Sequence, residues 1–319
     1  MKWQGGIGQR LRVLVLRGGA IGDFVVTLPV LQWLRLAAPG AVIDLACHGR
    51  VAPLAQDLVT HWRDIESAVF LPLFREEPVA ERAINGFLGN YDLIVSFLGT
   101  DTLPAKRLRD VLGERAIQID PLPRDEGRHV TAGFFGQLRA AGLPAPDAEE
   151  SAHLYPVIEV QEAKRQEARE LLGSLGPGSG QAVVAVHPGS GSEKKNTPAE
   201  VLGKVWAWLA EAFEEAAPVL VKGEADEAVV GRLLERLEPV APVLEAPDLG
   251  LLAGVLGECA LTIGHDSGVS HISAAVGTPT VAVFVSTDSR VWAPRGPRVA
   301  LAEPTAESIK AAVLSVAGK

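Results

Sequence analysis

The feature that most constrains the fold of this 319-residue chain is the alternation of short apolar runs with longer amphipathic segments. Runs such as 42–47 and 182–186 are short and rich in Val, Leu, Ile and Ala. Such runs are typical of strands that helices cover on both faces of a parallel sheet. In the segment 24–37, by contrast, apolar residues recur every third position, which predicts a helix. The alternation therefore predicts parallel βαβ units and an α/β fold.

The same pattern runs through nearly the whole chain and is interrupted once. The predicted strands are residues 11–16, 42–47, 67–71, 93–97, 116–119, 182–186, 219–222, 243–244, 261–263 and 280–284. The predicted helices are residues 24–37, 79–88, 106–112, 129–141, 160–172, 198–216, 226–237, 249–258, 269–276 and 305–316. A proline-bearing acidic connector, 143–147, separates two series of similar length, so we predict two doubly wound, Rossmann-like domains, 1–155 and 156–319.

Charge and cysteine content exclude several classes of protein. The net charge of −9 argues against a nucleic-acid-binding surface, which needs clustered positive charge. Cys47 and Cys259 are too few for a disulfide framework and lack the spacing of a zinc site. The chain contains neither an apolar stretch of membrane-spanning length nor a signal-peptide pattern at its start. We therefore expect a cytoplasmic protein that is at most peripheral to a membrane.

Glycine and charge concentrate in the loops that follow the predicted strands, where doubly wound sheets bind their ligands. The first loop, 17–23, reads RGGAIGD and opens the first long helix. Its glycines allow a ligand to approach the backbone, and the N–H groups of a helix start favour a negative group. Asp23 itself is equally explained as the N-cap of this helix.

Two later loops have a similar composition. Residues 187–195, HPGSGSEKK, combine glycines, hydroxyls and two lysines, which is chemistry suited to a diphosphate. Residues 264–271, GHDSGVSH, again end a strand and open a helix, where Asp266 either bonds sugar hydroxyls or caps the helix. His265 and His271 lack the spacing of a metal pair. A weaker signal is the acidic loop 222–227, where an acid is suited to ribose hydroxyls but is equally expected in the first turn of a helix.

Other nucleotide-site patterns are absent or incomplete. The glycines of the first loop do not form G-x-G-x-x-G, but Asp44 imitates the ribose-binding acid of a nicotinamide site, which leaves an oxidoreductase as an alternative. No G-x-x-x-x-G-K-S/T sequence supports a P-loop enzyme. No G-x-S-x-G sequence supports a hydrolase triad.

Taken together, the three loops resemble one known family. RGGAIGDFVVTLPVL at 17–31, HPGSGSEKKNTP at 187–198 and GHDSGVSHISAAVGTPTVAVF at 264–284 are similar in order and spacing to glycosyltransferase family 9. That family contains the ADP-heptose:lipopolysaccharide heptosyltransferases. The resemblance implies a GT-B fold, with an N-terminal acceptor-binding domain, a C-terminal nucleotide-sugar domain and a cleft between them. This chain departs from the family at Asn196 and Thr197, where a tryptophan is common after the lysine.

The resemblance also implies roles for individual residues. Asp23 matches the general base that deprotonates the acceptor hydroxyl as it attacks the anomeric carbon with inversion. The residues expected on the acceptor side or lining the cleft are Arg17, Gly18, Gly19 and Gly22. The residues expected to bind the donor are Ser190, Lys194, Lys195, Glu224, Glu227, Asp266, Ser267, Gly268 and His271. Lys195 matches the lysine of the diphosphate site, and Lys194 takes this role if the loop is shifted by one residue.

The function implied by the resemblance is transfer of heptose from an ADP-heptose donor to a lipopolysaccharide core-type acceptor at the inner membrane. The scheme requires no metal and no cofactor. A nucleotide-sugar epimerase of GT-B type, and a family 9 transferase with another sugar or acceptor, are the alternatives. A protein that binds a nucleotide sugar without transferring it is a third.

Overall fold

The structure is a computed structural model, and it describes residues 10–75, 81–122, 127–176, 181–213, 216–237 and 241–317. The chain divides into two compact units, Met1–Leu154 and Tyr155–Lys319. Each unit contains one parallel sheet with helices packed against it. The roles predicted for the two halves of the chain stay predictions at this point.

The first unit contains a five-stranded sheet in the order β3-β2-β1-β4-β5, and every neighbouring pair is parallel. Its strands are β1 (Arg12–Leu16), β2 (Val42–Cys47), β3 (His61–Asp64), β4 (Leu93–Ser96) and β5 (Ala116–Gln118). Its helices are α1 (Ile21–Val25), α2 (Leu28–Ala37), α3 (Leu71–Phe74), α4 (Glu81–Leu88), α5 (Leu103–Leu112), α6 (Val130–Ala140) and α7 (Ala148–Ala152). Short 3₁₀ helices span Gly49–Ala55 and Gly113–Arg115.

The second unit contains a six-stranded parallel sheet in the order β11-β10-β9-β6-β7-β8. Its strands are β6 (Ala182–Val186), β7 (Ala216–Lys222), β8 (Val243–Glu245), β9 (Leu261–His265), β10 (Thr280–Val283) and β11 (Val299–Ala302). Its helices are α8 (Glu162–Ser174), α9 (Ala199–Ala212), α10 (Glu227–Leu234), α11 (Leu249–Glu258), α12 (Gly268–Ala275), α13 (Ser289–Trp292) and α14 (Ala306–Ala317). A 3₁₀ turn spans Glu193–Lys195.

Each sheet is buried by helices, as the apolar runs predict. In the second unit, Trp206 and Leu209 of α9 and Ile309 of α14 pack with the central strands in one cluster of buried side chains. In the first unit, Leu16 of β1 and Leu108 of α5 belong to a comparable cluster. Burying apolar surface stabilises the fold by about 25 cal/mol for each Å². These buried clusters therefore hold the strand ends and their loops in place.

The predicted helix 24–37 is wrong as a single element, because the structure has two helices there. Helix α1 ends at Val25 and α2 begins at Leu28. Pro29 lies in the first turn of α2, where its missing N–H costs nothing. In a continuous helix the Pro29 ring would clash with the carbonyl of Val25, so the chain breaks between them.

The predicted strand 67–71 is also wrong. The third strand is His61–Asp64, an edge strand whose side chains are largely exposed, and Leu71–Phe74 is a short helix with Pro72 in its first turn. A search for buried apolar runs misses an exposed edge strand for this reason. Strand β11, Val299–Ala302, is a second edge strand that was not predicted, although its sequence VALA is a short apolar run.

Other element ends differ by a few residues. The predicted helix 198–216 ends at Ala212, and β7 already begins at Ala216. The first residues of the predicted helix 79–88 lie outside the described part of the chain, which has this helix from Glu81. No helix among the described residues is both long enough and apolar enough to span a membrane.

Candidate functional site

The loop after β1 holds Asp23 in a defined position at the start of α1. The N-cap of α1 is Ala20, and Asp23 is the third residue of the helix, so Asp23 is not the N-cap that the sequence offers as an alternative. Its Oδ2 accepts a hydrogen bond from the Ala20 N–H at 3.1 Å. Gly19 has a φ of +97°, and a Cβ at this position would lie 2.9 Å from Asp23 Oδ2. The glycine therefore serves both the turn and the close approach of the carboxylate.

Arg17 holds Asp23 from the other side. The guanidinium is buried and donates two hydrogen bonds to the Asp23 main-chain oxygen, at 2.7 and 3.1 Å. It also lies 3.7 Å from Asp23 Oδ1 and over the ring of Phe97. Burial lowers the pKa of Arg17 to about 10, and the charge of Asp23 opposes this shift. Arg17 is therefore a cation at neutral pH, and it orients the carboxylate.

One third of the Asp23 side chain is exposed to solvent, so the carboxylate is both anchored and accessible. An anchored, accessible carboxylate is suited to accept a proton from a bound hydroxyl. Gly18 and Gly22, the other predicted glycines of the loop, are half-buried, and a Cβ on Gly18 would contact Leu98.

In the second unit, four strand ends converge. Strands β7, β6, β9 and β10 are consecutive neighbours in a parallel sheet, so their carboxyl ends meet at one edge. The loops that follow them carry His187 after β6, Asp226 after β7, Asp266 after β9 and Thr287 after β10. These side chains contact one another in two groups. The predicted phosphate loop and the predicted sugar loop thus lie side by side.

The first group is centred on Asp266, which is buried at the end of β9. Its Oδ2 pairs with Lys195 Nζ at 2.7 Å and accepts a hydrogen bond from Thr287 Oγ1 at 2.8 Å. Lys194 is exposed. The structure thus brings Lys195, and not its neighbour, into contact with a second predicted donor residue.

The remaining predicted donor residues lie on both sides of this pair. Ser190 Oγ lies 2.7 Å from the Ser192 carbonyl oxygen and 2.5 Å from Asn196 Oδ1, so its single hydroxyl proton has two acceptors within reach in the loop after β6. Ser267 is the N-cap of α12, Gly268 is the first residue of that helix, and His271 is buried within it. The N–H groups at the start of α12 are therefore adjacent to Asp266.

The second group is a pair that the sequence reading missed. His187 and Asp226 are both buried, and His187 Nε2 lies 2.9 Å from Asp226 Oδ2. Of the two predicted acids in this loop, Glu224 is exposed and Glu227 pairs with Lys222. Burial by itself raises the pKa of Asp226, but His187 and the Gly223 N–H together lower it below its ordinary value.

A signal for this pair exists in the sequence, but it is weak. Gly189 and Gly223 both approach the Asp226 carboxylate closely, and a Cβ on Gly189 would overlap it. Glycine is therefore needed at both positions because a side chain there would collide with the Asp226 carboxylate, and not only because of turn geometry. From the sequence, Asp226 is indistinguishable from an ordinary helix-start acid.

His265, at the end of β9, is a further buried polar residue near these two groups. Its Nε2 accepts a hydrogen bond from the Thr197 N–H at 2.8 Å. Burial, with a smaller contribution from the charge of His187, lowers the pKa of His265 to about 4. His265 is therefore neutral at neutral pH and holds the loop that follows the lysines.

Two other polar clusters occur in the described part of the first unit. Asp44 lies within β2, where it pairs with Arg12 and His61 and accepts a hydrogen bond from Tyr91 at 2.7 Å. The contacts of Asp44 remove the support for a nicotinamide ribose site at this residue. His48, Asp64 and Glu66 place three ligand-type atoms within 4.8 Å of one another.

Asp64 in this second cluster already accepts hydrogen bonds from the Gly49 and Glu66 N–H groups. His48 pairs with Glu66 at 3.4 Å. These contacts hold the three side chains close together.

Comparisons with known proteins agree with the fold. The model of the family described as glycosyltransferase family 9 (heptosyltransferase) matches residues 140–312. No curated protein matches the chain in sequence.

Among solved structures, the glycosyl transferase family 9 protein from Veillonella parvula DSM 2008 is similar with a TM-score of 0.76 and 20% identity, over 96% of each chain. E. coli ADP-heptose lps heptosyltransferase II is similar with a TM-score of 0.73 and 16% identity, over 96% of this chain and 98% of the other. E. coli heptosyltransferase WaaC with ADP is similar with a TM-score of 0.65 and 19% identity, over 95% of this chain and 99% of the other. The predicted α/β fold of the GT-B class, with two parallel sheets flanked by helices, is confirmed.

Proposed function

The chain belongs to glycosyltransferase family 9 and is a glycosyltransferase, and from this premise we propose that it transfers a heptose from an ADP-activated donor to a lipopolysaccharide core-type acceptor. The transfer inverts the anomeric configuration, because the acceptor hydroxyl attacks directly as ADP leaves. The single observation that carries the proposal is the convergence of the loops after β6, β9 and β10 on the Lys195–Asp266 pair.

The second unit supplies the chemistry that the donor needs. A departing diphosphate gains negative charge in the transition state, and a lysine together with the N–H groups at the start of α12 stabilises that charge. Lys195 lies within 2.7 Å of Asp266, so one residue for the diphosphate and one for the sugar hydroxyls are adjacent. In the apo protein the two neutralise each other. Donor binding replaces this ion pair with contacts from Lys195 to phosphate and from Asp266 to hydroxyl groups.

The first unit supplies the acceptor side. Asp23 is proposed as the general base, since its carboxylate is anchored by Arg17 and by the Ala20 N–H while one third of the side chain is exposed. A sugar hydroxyl becomes acidic only as it bonds to the anomeric carbon, so a carboxylate of ordinary basicity is a sufficient proton acceptor. Gly18, Gly19 and Gly22 allow the acceptor to approach the backbone of this loop.

The names of the similar solved structures support the choice of donor. Two of the E. coli structures are described as an ADP-heptose lps heptosyltransferase and as a heptosyltransferase with ADP. The proposed acceptor is a glycolipid anchored in the membrane. The same proposal therefore includes peripheral contact of the protein with the inner membrane.

The test is a transfer assay with ADP-heptose in the presence and absence of a lipopolysaccharide core glycolipid. We expect ADP release only when the acceptor is present, a glycolipid heavier by one heptose, and an inverted anomeric centre by NMR. Conversion of the donor to an isomer without acceptor would identify an epimerase instead. Binding of the donor without turnover would identify a binding protein, and transfer from a UDP- or GDP-sugar would retain the family and replace the donor.

A further inference from the structure

A line of three side chains connects the proposed diphosphate site to the interior of the second unit. Ser267 Oγ lies 3.3 Å from His187 Nδ1, and His187 Nε2 lies 2.9 Å from Asp226 Oδ2. Ser267 is half-buried at the start of α12, whereas His187 and Asp226 are 4% and 5% exposed. The imidazole therefore uses one nitrogen toward a buried carboxylate and the other toward a hydroxyl at the site surface.

Ser267 and Asp226, the two ends of this line, occupy N-cap positions but do not cap a helix with their side chains. Ser267 is the N-cap of α12 and Asp226 is the N-cap of α10, yet neither side chain caps its helix. Both turn toward His187 instead. Gly189 and Gly223 provide the space for the Asp226 carboxylate, and the Gly223 N–H donates to it at 2.8 Å. The backbone on both sides is thus shaped around this contact.

The donor and acceptor roles along the line follow from its chemistry. The carboxylate of Asp226 accepts only, so Nε2 of His187 carries a proton. In the neutral imidazole Nδ1 then accepts, and it uses the single proton of the Ser267 hydroxyl. Ser267 in that state turns lone pairs toward any phosphate oxygen beside it. A proton added to Nδ1 reverses this bond and frees the hydroxyl proton for the phosphate.

We propose that Asp226 and His187 are positioning residues for Ser267, and that His187 takes up a proton when a nucleoside diphosphate binds. This inference rests on the proposed function, which places the donor diphosphate beside Ser267 and the start of α12. The proton comes from solvent and adds to Nδ1, Nε2 keeps its proton toward Asp226, and the Ser267 hydroxyl turns to the phosphate. The bound diphosphate thereby faces a cationic imidazole within the site.

The charged groups around His187 are consistent with this assignment. His265 on β9 faces His187 and is neutral at neutral pH, because burial lowers its pKa to about 4. Asp226, in the loop before α10, contributes the one carboxylate that contacts the His187 ring among the described residues. Asp266, next to Ser267 in sequence, is neutralised by Lys195. Of the two imidazoles, His187 is therefore the one with a carboxylate placed to stabilise a proton.

The first test measures protons. Titration calorimetry of ADP in buffers of different ionisation enthalpy, such as PIPES and Tris at about pH 7.5, counts the protons exchanged on binding. We expect Asp226→Asn to take up fewer protons per ADP than the parent, by about half a proton or more, because the carboxylate that stabilises the imidazolium is lost. Glu235→Gln, which removes an exposed acid at the end of α10, is the matched control and keeps the parental count.

The second test is a double-mutant cycle on ADP affinity. Ser267→Ala removes the hydroxyl without leaving a buried charge, and we expect an affinity loss of about 10-fold. If Asp226 acts through this hydroxyl, Asp226→Asn weakens binding several-fold in the parent and has little further effect in Ser267→Ala. A purely structural role for Asp226 would give additive losses. Melting temperatures of the apo variants show which of them fold normally, and the Ser267→Ala arm does not depend on a buried substitution.

The outcomes separate the two proposals. Equal proton counts in the parent and Asp226→Asn, or additive affinity losses, overturn the positioning role while ADP binding itself stands. Absence of ADP binding by the parent overturns the proposed donor and this inference with it. Reduced proton uptake together with non-additive losses supports both.

Discussion

Asp23 supports the start of α1 and is also the proposed general base, and the contacts of its carboxylate show how these two roles can be tested separately. As the third residue of α1 it accepts the Ala20 N–H through Oδ2, and as the proposed base it takes a proton from the acceptor. Asp23→Asn keeps an amide oxygen for the helix bond but cannot take up a proton at neutral pH. We expect a rate loss on the order of 10²–10⁴-fold with nearly parental ADP affinity and melting temperature.

The measurement is steady-state transfer alongside ADP binding for the Asp23→Asn variant and the parent. Glu81→Gln is a suitable control, because it also removes an exposed first-turn acid from a helix of the first unit. Near-parental turnover in Asp23→Asn would show that Asp23 only supports the helix start.

Lys195 differs from an ordinary surface lysine because it neutralises the buried Asp266. Lys195→Ala is therefore expected to weaken ADP binding about 10-fold, through loss of a charge-assisted contact to the diphosphate. It also lowers the apo melting temperature slightly, since Asp266 then keeps only the Thr287 bond shown for its carboxylate. Lys204→Ala, at an exposed position of α9, is the control for loss of one lysine. Parental ADP affinity in Lys195→Ala would transfer the role to Lys194.

At the scale of elements, the site depends on how closely the loop after β6 approaches the loop after β7. A Cβ on Gly189 would overlap the Asp226 carboxylate, so Gly189→Ala forces one of the two loops to move. We expect a loss of about 1–3 kcal/mol in unfolding free energy, as for other overpacked sites. The loss of ADP affinity is expected to accompany it, because His187 shifts with Asp226.

Gly203→Ala provides the opposite case within the same unit. Gly203 lies inside α9, and an added Cβ there would have no atom within 4 Å apart from its chain neighbours and the backbone of its own helix. Alanine there is expected to raise the unfolding free energy by about 0.5–1 kcal/mol, because glycine is the poorer helix former. Chemical denaturation of both variants measures the two effects, and equal signs would contradict the contact argument.

At the scale of the whole molecule, ligand binding to the second unit should be visible as a change in melting temperature. If ADP binds the folded state only, ADP at 100 times its Kd stabilises it by about 2.7 kcal/mol. We expect ADP to raise the melting temperature more than UDP, GDP or NAD at equal concentration. A preference for UDP would contradict the ADP-heptose donor while leaving the family and the fold unchanged.

The sequence by itself determined the alternation of strands and helices and the three glycine-rich loops, because these depend on local periodicity and on residues close together in the chain. The resemblance to family 9 rests on the motifs in those loops. It did not determine the edge strand His61–Asp64, since this polar, exposed segment carries no buried-strand pattern. The break between α1 and α2 could have been predicted from the position of Pro29 alone.

Only the tertiary structure decided which side chains face each other at the carboxyl ends of the second sheet. Asp226 and His187 are 39 positions apart, and Ser267 and His187 are 80 apart. Their contact depends on β7, β6 and β9 being neighbours, an order that periodicity does not encode. Lys195 is distinguished from Lys194 in the same way, by its contact with Asp266 across 71 positions. Local sequence patterns determine the helices and strands, whereas the pairing of strands that are distant in sequence determines which side chains meet at the candidate site.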